Sequence, residues 1–363
     1  MEHRITQVVK IKDLKIGGNN PVVVQTMWKD RLSGGDLTKT IVKIDALAAM
    51  GCGVLRFAVP DLTTAEVLGE LAQTVSMPLT ADIHFDYKIA LRCMDFPIAK
   101  IRINPGNIGG KDKTRALLEK ASANNIPIRI GVNAGSLPAD LREKADIKPA
   151  MALVKAAERE VSIFKEFGFT QYMVSMKASG IADTIEANRI FSERSDVPLH
   201  LGVTEAGPLA AGVAASTAAL ATLLKEGIGD TIRVSLSDTM ENEIIAGREI
   251  IRAAAEMADS QAVRQNRLKV SGVKIVSCPR CGRYGFDTHG FTNRWMPKLY
   301  AMNKDITVAV MGCEVNGPVE AKNADLGITG AGDKVLIFRQ GKIIKTISAD
   351  EADFAFEEEL SKL

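Results

Sequence analysis

Short runs rich in Val, Ile and Leu recur through the first two-thirds of the chain, and each is followed by a longer stretch of mixed Ala, Leu, Lys and Glu. A β-branched run bounded by Pro, Gly or Asn reads as a strand, and apolar residues at helical spacing read as an amphipathic helix. The runs are Pro21–Thr26, Val54–Val59, Pro78–Ile83, Ala99–Ile103, Pro127–Val132, Gln171–Ser175, Pro198–Val203 and Asp230–Ser235, which makes eight. Between them, helices are predicted over Thr38–Met50, Thr63–Thr74, Lys111–Asn124, Pro149–Phe167, Ile181–Arg194 and Leu209–Glu226. Eight strand–helix alternations over roughly 250 residues predict a TIM (β/α)8 barrel within an α/β chain. A doubly wound open sheet is the rival, but no GxGxxG follows the first strand. Ahead of the barrel, Ile5–Gly18 reads as a small hairpin able to plug its bottom.

After Arg248–Gln265, a last barrel helix, the periodicity changes. Arg267–Ser277 and Asp305–Met311 read as strands, Lys334–Ile347 as a hairpin about Gly341, and Asp350–Leu363 as a helix. This predicts a barrel domain over 1–265 and a separate α+β domain over 266–363.

Composition narrows the picture. Apolar residues make up 46% and charged residues 25%, as in a globular chain able to bury a sizeable core. The formal charge, +46 − 44 = +2, gives no global attraction to nucleic acid or to a membrane. The N-terminus has no apolar signal core, and no stretch of about 18 apolar residues occurs, so a cytoplasmic protein with reduced thiols is expected. The five cysteines, Cys52, Cys93, Cys278, Cys281 and Cys313, do not resemble a secreted disulfide framework.

Chemistry in a TIM barrel sits at the C-terminal strand ends. Those ends supply Gln25, Arg56, Asp82, His84, Arg102, Asn104, Arg129, Asn133, Ser175, Lys177, Thr204, Glu205, Arg233 and Ser235. Four arginines and a lysine converging on one mouth repel one another in a low-dielectric cavity, so a counter-anion is expected. The guanidinium fork suits bidentate phosphate contact, and two phosphates or one diphosphate would balance the ring. The Asn104–Gly110 loop precedes a helix and could add amide donors. His84 and Glu205 are the candidate proton donors or acid/base groups. His3, His200 and His289 carry no comparable pattern. Cys52 and Cys93 read as small buried apolar residues.

Cys278-Pro-Arg-Cys281 pairs with a single later cysteine, Cys313. A CxxC by itself fits a zinc half-site, a redox pair or half of an iron–sulfur site. A zinc ribbon wants four Cys or His ligands. Cluster irons accept thiolates, and three of them leave one iron to a non-cysteine donor. The nearest carboxylates are Glu314 and Glu320, and Asn316-Gly317-Pro318 forces a turn that could return Glu320 beside Cys313.

VSCPRCGR, MGCEVNGPVEAKNADLGITG, KIRINPGN, RIGVNAGSL and HLGVTEAGP together resemble the 4-hydroxy-3-methylbut-2-enyl diphosphate synthase family of the non-mevalonate isoprenoid pathway, from about Ile5 to the end. The resemblance implies a TIM barrel like that of dihydropteroate synthase, joined to a [4Fe–4S] domain similar to that of sulfite reductases. It implies cluster ligands at Cys278, Cys281, Cys313 and Glu320, with Asn316 close by. Arg56, Arg102, Arg129, Asn133 and Lys177 match the family's diphosphate site, and Thr204, Glu205, Arg233 and Ser235 match the rest of the pocket. The implied reaction is reductive ring opening of 2-C-methyl-D-erythritol 2,4-cyclodiphosphate with loss of water. Electrons would come from flavodoxin or ferredoxin, in a homodimer whose barrels face the partner's cluster domain. Val319 stands where the family usually has Gly, Thr26-Met27-Trp28-Lys29 replaces a Ser-Met-Thr run, and Tyr284 replaces a common Thr. The rival readings are a phosphate-binding barrel with a zinc-stabilised tail, and a dihydropteroate synthase-like transferase with a structural metal.

Overall fold

The computed structural model describes residues 4–145, 148–279, 281–313 and 317–363. The chain divides into two compact units, Met1–Val270 and Ser271–Leu363.

In the first unit a hairpin, β1 (Val9–Ile11) and β2 (Leu14–Ile16), precedes eight parallel strands. These are β3 (Val23–Met27), β4 (Val54–Ala58), β5 (Leu79–Ile83), β6 (Lys100–Ile103), β7 (Ile128–Asn133), β8 (Tyr172–Lys177), β9 (His200–Leu201) and β10 (Thr231–Ile232). The bonded order runs β8-β7-β6-β5-β4-β3-β10-β9, and a parallel bridge from Val174 to Leu199 joins the two ends, so the sheet closes. Helices lie between: α1 (Thr38–Ala49), α2 (Leu62–Thr74), α3 (Tyr87–Cys93), α4 (Pro105–Ile108), α5 (Lys111–Ala123), α6 (Ala139–Ala145), α7 (Pro149–Glu166), α8 (Ile181–Arg194), α9 (Leu209–Lys225) and α10 (Met240–Met257). Local chemistry sets several starts. The Asp61 carboxylate accepts from the Thr64 amide at 2.7 Å to cap α2, and Pro149 opens α7, where no N–H is needed.

The pleat sorts each strand into two sets. Ile101, Ile103, Ile128, Ile130, Val174 and Met176 are buried on the side that meets the helices. Their alternates Lys100, Arg102, Arg129, Ser175 and Lys177 face the barrel axis and are buried too. The interior is therefore polar where such barrels usually carry branched aliphatics. The hairpin plugs the bottom as expected: Val9, Ile11 and Ile16 pack with Val23, Val54, Ala99 and Met173 at the strand starts. A second closure lies beside it. Arg267, from a π-helical turn (Val263–Arg267), donates to the Gly229 carbonyl at 2.6 Å and to Asp230 at 2.7 Å. Asp230 also accepts from Thr6 and from the Leu199 amide.

The second unit is a five-stranded mixed sheet: β11 (Lys274–Ser277), β12 (Thr307–Met311) and β13 (Leu326–Ala331) run parallel, and β14 (Lys334–Arg339) and β15 (Lys342–Ile347) complete an antiparallel meander. Helices α11 (Thr288–Tyr300) and α12 (Gly317–Glu320) make the two parallel crossovers, and α13 (Ala352–Ser361) ends the chain. One sheet face builds an apolar core from Val308, Val310, Ile328, Ile337, Phe291, Trp295 and Phe356. The other face carries a smaller cluster of Ala309, Met311, Ala321, Ala324 and Phe338, with Cys278 packed against it. Gly327 faces Phe338 across the ladder, and a Cβ there would lie 2.0 Å from the ring.

Some expectations need correction. The last barrel helix begins at Met240 rather than Arg248, and it ends at Met257. Its first turn reads as loop because it is Glu241-Asn242-Glu243, yet Thr239 caps it and Glu243 is buried beneath it. Helix α11 and strand β13 escape the periodicity because Gly290 and Pro297 interrupt one and Gly327 and Gly330 break up the other. The strand expected over Arg267–Ser277 shortens to Lys274–Ser277, since Arg267 belongs to the closure described above.

Replacing Arg267 with Met leaves the buried Asp230 carboxylate without its cation, which costs about 3 kcal/mol. Chemical denaturation of the variant should show that loss, and a change below about 1 kcal/mol would mean that Arg267 and Asp230 are not coupled as the geometry indicates.

Candidate functional site

The C-terminal strand ends enclose a cavity of about 230 Å³. Its lining brings together Arg56, Asp82, His84, Arg102, Arg129, Asn133, Lys177, Thr204, Arg233 and Ser235 from the sequence-based set, with Met27 and Val203 added. The cations leave β4, β6, β7 and β8 and the segment after β10. Register pairs Met27 with Arg56, Asp82 with Arg102, Arg102 with Arg129, and Asn133 with Lys177. Two glycines make room. A Cβ at Gly131 would sit 2.4 Å from Arg102 Nε, and one at Gly202 would sit 2.5 Å from Lys177 Nζ.

Three of the five cations already have carboxylates. Asp82 lies 3.3 Å from Arg56 Nε and 3.0 Å from Arg102 Nη1. Burial works against its charge, but Arg56, His84, Arg102 and Arg129 outweigh this and hold its carboxyl well below the usual range. Glu243, fully buried, lies 3.2 Å from Arg233 and 3.0 Å from Lys29, and it also accepts from Thr26 Oγ1 and the Leu236 amide. Sequence reading missed Glu243, which stands on α10 behind the mouth rather than at a strand end. It also left Lys29 as a mere departure from a motif, and Asp82 unassigned to a role. The ring is thus partly neutralised from within, which corrects the expectation that a ligand alone balances it.

Among the described residues no carboxylate lies within ion-pair distance of Arg129 or Lys177. Arg129 donates to Ser175 Oγ at 2.8 Å, while its Nε and Nη2 have no hydrogen-bond partner. Burial, then the neighbouring guanidinium groups, push Arg129 and Lys177 well below their ordinary values. Arg56 falls to about 10 for the same reasons, with Asp82 opposing. Orphaned buried donors with depressed basicity mark where an anion fits.

His84 stands at the rim, its Nε2 3.3 Å from Arg102 Nη1 and 3.7 Å from Asp82. Four expected residues do not line the cavity. Gln25 is wholly buried in the barrel and accepts from Lys100 Nζ at 3.4 Å. Ser175 lies below it and serves Arg129. Asn104 turns aside and donates to Ser136 Oγ at 3.2 Å. Glu205 is exposed, on a left-handed backbone (φ 53°) beside the lining residue Thr204. Cys52 and Cys93 are buried, and burial pushes both thiols up to about 12, as inert core residues.

In the second unit, Cys278 and Cys313 follow the C-terminal ends of the adjacent parallel strands β11 and β12. The Cys278 amide continues the ladder by donating to the Val310 carbonyl at 2.9 Å. Gly285 donates to the Gly312 carbonyl at 2.8 Å, folding the Cys281 loop back over the end of β12. Gly312 lies beside this loop and the first cysteine, where a Cβ would be in ordinary contact with Tyr284 at 3.6 Å and Cys278 Sγ at 3.8 Å. Cys281 and Glu320 are exposed, and Cys313 is buried. Thiolate donors at and just beyond neighbouring strand ends fit the donor chemistry of an iron–sulfur group. Among the described residues no three Cys, His, Asp or Glu side chains are already gathered at metal-holding distance. Asn316 and Glu314 lie outside the described residues. Val319, where a glycine was expected, points to solvent at 69% exposure, so its bulk does not press on the cysteines. No helix among the described residues is long and apolar enough to cross a membrane.

A closed (β/α)8 barrel with an anion-seeking mouth, followed by an α/β unit with cysteines at its strand ends, defines a class of two-unit barrel proteins built around a charged small molecule. The chain belongs to the GcpE family: residues 6–248 match the GcpE TIM-barrel domain and residues 274–362 the GcpE protein C-terminal domain. It is 49% identical to the 4-hydroxy-3-methylbut-2-en-1-yl diphosphate synthase (flavodoxin) of Treponema pallidum, over 97% of this chain and 89% of that one. It is 48% identical to the enzyme of the same name from Treponema denticola, over 98% of this chain and 96% of that one.

An anion entering the mouth raises Lys177 back toward the ordinary lysine value, so binding takes up protons between the lowered value and about 10.5. In the same window the free protein gains stability as pH rises, because the unfolded chain holds more protons than the folded one. Calorimetry of pyrophosphate binding in buffers of different ionisation enthalpy should report net uptake that diminishes in Lys177→Met. Proton release, or no dependence on the buffer, would contradict this account.

Proposed function

We propose that this chain is a 4-hydroxy-3-methylbut-2-enyl diphosphate synthase that opens the ring of 2-C-methyl-D-erythritol 2,4-cyclodiphosphate, consuming two electrons and releasing one water. The observation that carries this reading is a pair of features in one chain: Arg129 and Lys177 without carboxylate partners in a small cationic cavity, and Cys278 and Cys313 just past the ends of paired strands with Cys281 in the loop between. The names of the two Treponema relatives agree.

In the barrel, Arg129 and Lys177 hold the diphosphate, with Arg56 and Arg102 steered by Asp82 and with Arg233 steered by Glu243. This fixes the substrate's orientation before the chemistry begins. Asn133, Thr204 and Ser235 supply neutral hydrogen bonds along the same wall. The Thr204 hydroxyl is buried and has no partner, so it is free to meet a ligand oxygen. His84 at the rim and Glu205 on the neighbouring loop are the two groups placed to deliver the proton that turns the departing hydroxyl into water.

Cys278, Cys281 and Cys313 would hold a [4Fe–4S] cluster, with Glu320 as its oxygen ligand and Asn316 near it. When bound, such a cluster supplies the electrons one at a time. Flavodoxin or ferredoxin is the electron source, and the working form is a cytoplasmic homodimer.

Anaerobically purified protein should be brown, hold iron and acid-labile sulfide near about four each per chain, and turn over the cyclodiphosphate with a chemical reductant. Cys313→Ser should lose the iron and the turnover. Glu320→Ala should keep iron and sulfide while changing the iron's spectroscopic environment. Stoichiometric zinc in place of iron would overturn the reading in favour of a phosphate-binding barrel with a structural metal.

A further inference from the structure

Below the mouth the barrel holds a histidine that its strand position gave no reason to single out. Three inward residues meet there: Lys177 of β8, His200 of β9 and Thr231 of β10. Lys177 Nζ lies 3.1 Å from His200 Nε2, and His200 Nδ1 lies 2.7 Å from Thr231 Oγ1. His200 and Thr231 are wholly buried and Lys177 is 7% exposed. In its protonated, anion-holding form Lys177 has donors and no acceptor, so this contact requires a lone pair on Nε2. The ring is then neutral, with its proton on Nδ1 and donated to the threonine.

The surroundings keep it so. Burial and the charges of Lys177, Arg129, Lys100 and Arg56 hold His200 well below the ordinary histidine value. Those cations come from β8, β7, β6 and β4, and on its other side the ring meets the uncharged Thr231 of β10. A carboxylate at this position would also anchor a lysine, but it would cancel the charge that attracts an anion. A neutral imidazole fixes the lysine and leaves that charge in place. The restraint matters because lysine's stem is flexible and its ammonium is a point charge without directional shape. Gly202 gives the tip its room, since a Cβ there would lie 2.5 Å from Nζ, but a glycine offers no side-chain group to orient the ammonium.

We propose that His200, itself oriented by Thr231, is a positioning residue that anchors the Lys177 ammonium through Nε2 and directs its two remaining N–H groups at the anion in the barrel mouth. This rests on the reading of that mouth as a diphosphate site. His200 touches no substrate atom and acts through Lys177.

The test is a double-mutant cycle on the full-length protein with inorganic pyrophosphate as the probe, read by calorimetry. H200L and K177M should each weaken binding by about tenfold, equivalent to roughly 1.4 kcal/mol. The double variant should bind no more than about twofold worse than K177M alone, because residues that act through one contact are not additive. H200Q offers an amide oxygen to the ammonium and should recover most of the loss. Should H200L not fold, T231V, which removes the partner of Nδ1, enters the same cycle. Losses that add fully, or H200Q no better than H200L, overturn the proposal while leaving the diphosphate reading intact. Failure of the wild-type protein to bind pyrophosphate overturns both. Ring-nitrogen shifts give a readout independent of any ligand: His200 should be neutral and protonated on Nδ1 at pH 7, and a charged ring or an Nε2–H tautomer would refute the anchor.

Discussion

Like charges held a few ångströms apart inside a barrel are costly. Two unit charges 4 Å apart at a protein-like dielectric repel by about 4 kcal/mol, and this barrel points five cations at one small cavity. Much of the surrounding architecture can be understood as the means of tolerating that arrangement. Asp82 is inserted between Arg56 and Arg102, and Glu243 reaches in from a helix to meet Arg233 and Lys29. Glycines at 131 and 202 give the long side chains room to spread. Of the five, Arg129 and Lys177 keep no carboxylate within ion-pair distance among the described residues, and the proposed anion would relieve the repulsion there. Affinity for the ligand and instability of the empty site are two aspects of one electrostatic fact.

The strand-by-strand alternation was legible because burial on the helix side demands aliphatics at every second position, whatever the interior contains. The mouth residues were legible for the same reason: a charged residue inside an apolar run can only face the axis or break the strand. Glu243 was not, since a glutamate in the first turn of a helix ordinarily faces water, and only the tertiary fold turns it inward. His200 escaped notice because nothing local distinguishes it. Its role depends on Lys177, 23 positions earlier, and on Thr231, 31 positions later. Glu205, by contrast, looked like a lining residue from its strand position, but a left-handed backbone carries it to the surface. In the second unit the cysteine spacing was plain, whereas α11, with Gly290 and Pro297 in it, is held by tertiary packing of Phe291 and Trp295 rather than by propensity.

The two units rest on different physics. The barrel is a polar interior held by aliphatic walls and sealed below by an apolar hairpin and the Arg267–Asp230 pair. The second unit has a conventional aromatic core on one sheet face and keeps its cysteines on the strand ends above the other. In both, reactive side chains leave the C-terminal ends of parallel strands, where the ladder ends and the chain is free to turn.

That placement of the cysteines has a consequence for the order of assembly. The aromatic core of the second unit contains none of the three, so the sheet and its helices close without any inorganic component. Insertion of the proposed cluster would then be the last event in the life of a finished polypeptide, and its loss to oxygen would be repairable on the same molecule without unfolding it.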